Sequence, residues 1–308
     1  MKRNWYFGLL VFVILTLSLC GCGGSNSNGT GSYTVSGQIT FNSSALQGVS
    51  LSFNNGTSSV TTDANGNWNR TGLSGTVIVT PSMAGYTFTP TTFTVSAARS
   101  DVNFTATRIN VAYIYNSLDA TDTTVAGNFK TFLDPTFPTV LIAKSNIVLT
   151  DYSNYSVIII GRETLLLTTE QWTKIKDTNL PVIGINRGGT GYFGNISLTL
   201  NGGNVASNPT NEAIVINSAL SVWSFPNALS VSNDSKVTLF NSISPANTFV
   251  KANLGAGGIH IAGCNPTYDT IAQVGNNLYW AYSNDASDFT AMGEKLFINI
   301  VQYMAQLK

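Results

Sequence analysis

The chain has 308 residues, enough for more than one hydrophobic core, and its 15 Lys and Arg balance 15 Asp and Glu, which excludes the basic footprint of a nucleic-acid-binding protein. Only 10% of residues are charged, against about 25% in ordinary soluble domains, and Ser, Thr, Asn and Gly fill the polar positions. That surface suits an exported protein.

The first residues divide targeting from structure. Lys2 and Arg3 precede an apolar run from Trp5 to Leu19 that ends in Leu19-Cys20-Gly21-Cys22. The run is shorter than the roughly 20 apolar residues a transmembrane helix needs. It resembles a bacterial lipoprotein signal, with Leu19 three positions before Cys22 and Gly21 immediately before it. The resemblance implies cleavage of residues 1–21, a lipid on Cys22, and an exported, membrane-anchored protein of the cell envelope, held at the outer membrane in a Gram-negative host. Loss of Lys2 and Arg3 would leave 13 basic and 15 acidic residues, a net charge of −2. Cys264 would then be the only thiol beside Cys22, expected as an apolar buried cysteine without a disulfide partner. Residues 22–32, rich in Gly, Ser and Asn, read as a flexible tether whose ten residues 23–32 reach about 17 Å at roughly 5–6 Å times √n.

From Tyr33 to Thr107 short alternating runs are separated by turn residues, the pattern of a small β-sandwich. Tyr33, Val35, Ile39 and Phe41 fall on one face at period two, Val49 to Phe53 repeats the alternation, and Asn65-Gly66 predicts a two-residue type I′ hairpin turn. Further strands are expected at 76–80, 92–96 and 102–106. The ordered pieces Tyr33-Thr34-Val35-Ser36-Gly37, Gly48-Val49-Ser50-Leu51, Thr62 to Trp68, Gly85 to Pro90 and Val102 to Ala106 resemble the carboxypeptidase-regulatory-like, transthyretin-like sandwich of exported bacterial proteins. What it implies is a spacer or interaction module without catalysis. Asp63-x-Asn65-Gly66 lacks the other acidic ligands of a calcium loop and reads as a plain turn.

At Ile109 the pattern changes to alternating strands and helices over residues 108–308. Ile109 to Tyr115 is a strand, a helix over 121–133 places Val125, Phe129 and Phe132 on one side, and 139–143 and 156–160 are strands. Thr168 and Gln171 have capping-box spacing before a helix with Trp172 and Ile175 that ends before Pro181. The apolar run Val182 to Asn186 follows, and this β-α-β progression calls for a parallel sheet with right-handed crossovers. Beyond Gly188 the pattern weakens. Residues 196–200 alternate, 201–204 form a turn, 213–216 and 237–240 are candidate strands outside the main sheet, and 257–262 and 278–282 are two more strands. Phe289, Met292, Leu296, Phe297, Ile300, Val301 and Met304 define a long amphipathic helix.

Pro181-Val182-Ile183-Gly184-Ile185-Asn186-Arg187-Gly188-Gly189 has the Gly-x-Nuc-x-Gly spacing of a nucleophile elbow, with Asn186 at the nucleophile position. An Asn tolerates the backbone of such a turn, but its amide does not attack carbonyls. The segment resembles the nucleophile segment of class I glutamine amidotransferase-like domains, where Pro-Val-x-Gly-Ile-Cys-Arg-Gly is common. The resemblance implies a flavodoxin-like α/β three-layer domain with a mostly parallel sheet, following the small antiparallel β-sandwich. The chain departs from that pattern at Asn186, at Thr190 in place of the usual Gln, and in lacking a late His-x-Glu. The single histidine, His260, lies in an apolar strand, where a packed core role is expected.

No cofactor follows from the sequence. The loop Asn116 to Asp119 lacks the glycines that would cradle a phosphate, and one His with one Cys gives no metal-ligand spacing. Glu163 follows strand 156–160 at the edge where open α/β sheets bind ligands, and Arg162-Glu163 reads as a surface ion pair. The leading function is a non-catalytic amidotransferase-like envelope protein that binds a small polar ligand or glycan through Asn186, Arg187, Gly188, Gly189 and Glu163. A hydrolase acting through carboxylates such as Glu163, and a structural envelope spacer, are the alternatives.

Overall fold

The computed structural model describes residues 31–164, 166–198 and 206–308; the signal segment, Cys22 and the turn expected at 201–204 lie outside the described residues. Residues Ser32 to Lys308 pack as one unit containing two hydrophobic cores.

The first core lies between two sheets built from β1 (Tyr33–Phe41), β2 (Ser44–Ala45), β3 (Ser50–Phe53), β4 (Val60–Thr61), β5 (Asn67–Leu73), β6 (Val77–Ser82), β7 (Tyr86–Thr89), β8 (Phe93–Val95) and β9 (Phe104–Arg108). One sheet runs β2-β1-β9-β7 with β5 also paired to β1, along Tyr33 to Gln38, and the second runs β4-β3-β6-β8. Val35 and Ile39 are fully buried, as period two requires, while Tyr33 and Phe41 pack at the margin of the core. Gly37 between them has no room for a side chain, since a Cβ there would stand 1.9 Å from the Val102 carbonyl oxygen. Two expectations are corrected. The sandwich is not wholly antiparallel, because β9 pairs parallel with β1. Asn65-Gly66 does not close a type I′ hairpin: of the two only Gly66 has positive φ, at +69°. The turn is held by Asp63 Oδ1, which accepts from the backbone N–H of Asn65 at 2.9 Å and Asn67 at 2.8 Å, and it carries the chain from β4 in one sheet to β5 in the other.

The second core surrounds an eleven-stranded sheet. Its elements are β10 (Val111–Tyr115), α1 (Ala120–Leu133), β11 (Thr139–Ala143), β12 (Val157–Ile160), α2 (Thr169–Asp177), β13 (Val182–Ile185), α3 (Asn186–Asn195), β14 (Ala206–Thr210), β15 (Glu212–Val215), β16 (Lys236–Thr238), β17 (Ser244–Val250), β18 (Ile259–Gly263), β19 (Tyr268–Val274), β20 (Asn277–Trp280) and α4 (Ala291–Ala305). β12 and β13 are buried at every position, which explains their unbroken apolar sequence. Asp119 caps α1, and Thr168 with Gln171 forms a complete capping box on α2.

The expected mostly parallel sheet is corrected to a mixed one. Strands β11-β10-β12-β13-β20 are parallel, but β20 continues antiparallel into β19, β18, β15 and β16, with β17 pairing β19 and β14 pairing β17. The switch occurs because only Gly275 and Asn276 separate β19 from β20, with Gly275 at φ +55°, and a two-residue connection joins antiparallel strands. β15 and β16 therefore belong to the main sheet. Residues 196–198 end α3 rather than start a strand: Ile196 is its cap and Ser197 has φ +54°. Sequence periodicity also missed β14, β17 and β19.

The two cores are joined by a buried glutamine. Gln302 of α4 accepts from the Gly85 N–H at 2.9 Å and donates to the Tyr86 carbonyl at 2.9 Å, so both ends of its amide are bound to the sandwich. The C-terminal end of α4 and the amino edge of the parallel strands thus face the sandwich, and the carboxyl edge lies at the other end of the sheet.

Candidate functional site

At that carboxyl edge, β13 passes directly into α3 through Asn186, whose φ of +45° bends the chain as a nucleophile elbow requires. The glycine-rich stretch expected to be a turn is the start of a ten-residue helix, and its glycines are there for contact. A Cβ on Gly184 would lie 2.6 Å from Gly189 Cα, and one on Gly188 would lie 1.9 Å from the Gly161 carbonyl oxygen. α3 therefore lies against β13 and the end of β12 at a spacing that only glycine permits.

Asn186 is 3% exposed and its amide makes three hydrogen bonds within the chain. Nδ2 donates to the Ala281 carbonyl beyond β20, while Oδ1 accepts from the Arg187 N–H at 2.9 Å and from Asn247 Nδ2 on β17 at 2.9 Å. β17 is itself seated on this edge, with Asn247 N–H donating to Ala281 O at 3.0 Å and Tyr279 Oη donating to Asn247 O at 2.6 Å. The elbow is thus closed by an amide of the chain.

Of the five residues read as ligand-binding, the structure keeps two at the surface together. Arg187 Nη1 and Glu163 Oε2 are 3.6 Å apart, with side chains 57% and 30% exposed. Gly188 donates its N–H to Arg162 O at 2.8 Å, and Gly189 is packed on Gly184, so neither presents its backbone to a ligand. The expected Arg162–Glu163 pair is corrected: Arg162 Nη1 donates to the Ser283 carbonyl, leaving Glu163 to Arg187. Beneath them are polar groups that the residue pattern did not reveal. Asp122 on α1 is fully buried, accepts from the Asn116 N–H through Oδ2 at 2.6 Å, and leaves Oδ1 without a partner. Burial raises its carboxyl above the usual range against the opposing pull of the Asn116 bond. The Tyr113 hydroxyl, also buried and unbonded, is pushed well up by burial and then by Asp122.

His260 departs from the packed core role. Its side chain is 37% exposed, and Nδ1 lies 2.5 Å from Oδ2 of the fully buried Asp269 on the neighbouring strand β19, with Lys251 Nζ 3.9 Å from Oδ1. Burial raises the Asp269 carboxyl, and the His260 bond opposes that rise. Asp269 stands in a strand of mixed sequence, Tyr268–Val274, that is buried at its five inner positions, so the sequence pattern gave no clear signal of this pair. An acid and the base it orients are present, but the described residues place no hydroxyl or thiol in hydrogen-bond contact with His260, so no nucleophile completes them. Cys264 is half-buried rather than buried, and burial raises its thiol. Among the described residues no group of three or more His, Cys, Asp or Glu could hold a metal ion, and no helix is long and apolar enough to cross a membrane.

No protein-family model matches the sequence, and no curated protein matches it. Solved structures do. A protein described as a candidate GMP synthase subunit from Thermoplasma acidophilum aligns with 65% of this chain and 96% of its own at 11% identity and a TM-score of 0.42. A glutamine amidotransferase from Thermotoga maritima aligns with 60% and 76% at 9% identity and a TM-score of 0.35. A beta-galactosidase from the psychrophilic Marinomonas ef1 aligns with 64% of this chain at 10% identity and a TM-score of 0.41, and the chain spans only 29% of that enzyme. Among its structural neighbours the chain thus has proteins of glutamine amidotransferase type.

Proposed function

We propose that the chain is an exported, lipid-anchored cell-envelope protein whose α/β region is an amidotransferase-like domain without catalysis, acting in ligand binding or surface interaction. The observation that carries the non-catalytic reading is the state of Asn186: an amide that cannot attack a carbonyl stands at the elbow, buried and held by three hydrogen bonds to Ala281, Arg187 and Asn247. The exposed Glu163–Arg187 pair is the part of the edge left for a ligand. The anchor rests on Leu19-Cys20-Gly21-Cys22 and the basic residues before it.

Two measurements test this reading. Amidase, esterase and glycosidase assays of the purified chain should show no turnover; turnover that disappears in Glu163→Gln would establish a carboxylate hydrolase instead. Metabolic labelling with an alkyne fatty acid in a bacterial host should label the chain and not Cys22→Ala, and equal labelling of both would remove the anchor from the proposal.

A further inference from the structure

At the opposite end of the sheet from the elbow, where the sandwich meets α4, lies a cleft of about 480 Å³, within the range of small-molecule sites. We infer that this cleft binds a neutral oligosaccharide. It does not use the elbow or its rim, so it stands whether or not the carboxyl edge binds anything.

The lining is rich in hydroxyls. Thr87, Thr89 and Thr107 of β7 and β9, with three further threonines of the sandwich, supply one wall, and Ser156 and Gln306 face them from the α/β side. These side chains can donate and accept hydrogen bonds at once, which matches sugar hydroxyls. The Ser156 hydroxyl, on a residue 7% exposed, bonds to no described residue. Phe88, Pro81 and Ala305 close the floor; with Phe88 8% and Ala305 2% exposed they give the cleft its shape, and recognition falls to the hydroxyls of the walls.

Charge decides between ligand classes. No Asp or Glu lines the cleft, and its one cation, Lys308, donates its ammonium to the Tyr155 carbonyl at 2.8 Å. The 15-residue helix α4 ends here, bringing the negative end of its dipole and its last carbonyls to the cleft. That field opposes phosphate and carboxylate and offers acceptors to hydroxyl groups. The walls are also held in register before any ligand arrives: Gln302 binds Gly85 and Tyr86 of the sandwich from the same helix. A pre-formed cleft avoids the ordering cost that weakens binding to mobile loops.

The test is isothermal titration of the full chain in detergent with cellohexaose, maltohexaose, xylohexaose and mannohexaose, and with an oligogalacturonate as the anionic probe. At least one neutral probe should bind saturably, and Thr107→Trp, a bulky change at an exposed position, should weaken it at least 10-fold while leaving the thermal midpoint unchanged. Asn69→Trp, on the separate polar groove formed by Gln38, Asn69 and Asn103, should leave affinity within twofold. Thr89→Trp repeats the block should Thr107→Trp fail to fold. The inference is overturned by absence of saturable binding to any neutral probe, by binding that survives both cleft substitutions, or by tighter binding of the oligogalacturonate.

Discussion

The two edges of the parallel sheet use polar groups in opposite ways. At the elbow, Asn186, Asn247 and Ala281 bond to one another and Gly188 bonds to Arg162, and the groups left over are the Glu163–Arg187 ion pair and three buried atoms without a partner among the described residues, Asp122 Oδ1, Tyr113 Oη and Arg162 Nε. At the junction with the sandwich, the cleft is lined by hydroxyls and amides around an apolar floor, and the bonds that hold it in shape are made by Gln302, outside the lining. The elbow's glycines and Asn186 thus serve to pack α3 on the sheet, whereas the polar side chains of the cleft line an open surface. The elbow is where sequence motifs point and where the unpartnered groups are buried, whereas the cleft sets its hydroxyls on an open wall.

The comparison can be broken most forcefully at the glycines. If the elbow is now a packing device, Gly188→Ala, whose Cβ would fall 1.9 Å from Gly161 O, should cost about 3 kcal/mol in urea denaturation; a loss within experimental error would show that α3 is loosely seated. Next in size, Asn186→Cys should cost about 2 kcal/mol by stranding Asn247 Nδ2, and should create no glutaminase activity, because no base is bonded to that position. Gained turnover would return the elbow to catalysis. Gln302→Leu leaves Gly85 N–H and Tyr86 O unpaired and should cost about 1–2 kcal/mol, with weaker saccharide binding if the clamp shapes the cleft.

The smallest effect concerns Asp122. Because burial raises its folded carboxyl above the unfolded value of about 3.9, the native chain holds the proton more tightly than the unfolded chain, so this group takes away stability as pH rises from about 4 through the folded value. Asp122→Asn should remove that slope, and the variant's thermal midpoint should gain on the parent between pH 4 and pH 7. A difference that is constant with pH would mean that Asp122 is not the buried proton acceptor described.

Much of the architecture is legible locally. The Thr168–Gln171 box, the apolar runs at 157–160 and 182–185, and the positive-φ Asn at the end of a strand are signals carried within four residues, and each stands in the fold where such signals place it. The antiparallel half was harder to read. β14, β17 and β19 have mixed sequences whose strand pairing is made with partners distant in the chain, and Pro209 and Pro245 in β14 and β17 weaken the strand pattern further.

By itself the sequence determined a strand-rich first region, a β-α-β second region, and an elbow without a nucleophile, because periodicity, caps and turn chemistry act between near neighbours. Only tertiary structure decided that Asn186 would be bound by Asn247, 61 residues away, that Glu163 would pair with Arg187 rather than Arg162, that His260 would meet Asp269, and that Gln302 would clamp the sandwich 217 residues back. Those contacts depend on strand register and chain closure over long loops, and a polar side chain's choice among distant partners leaves no trace in the spacing of its own neighbours.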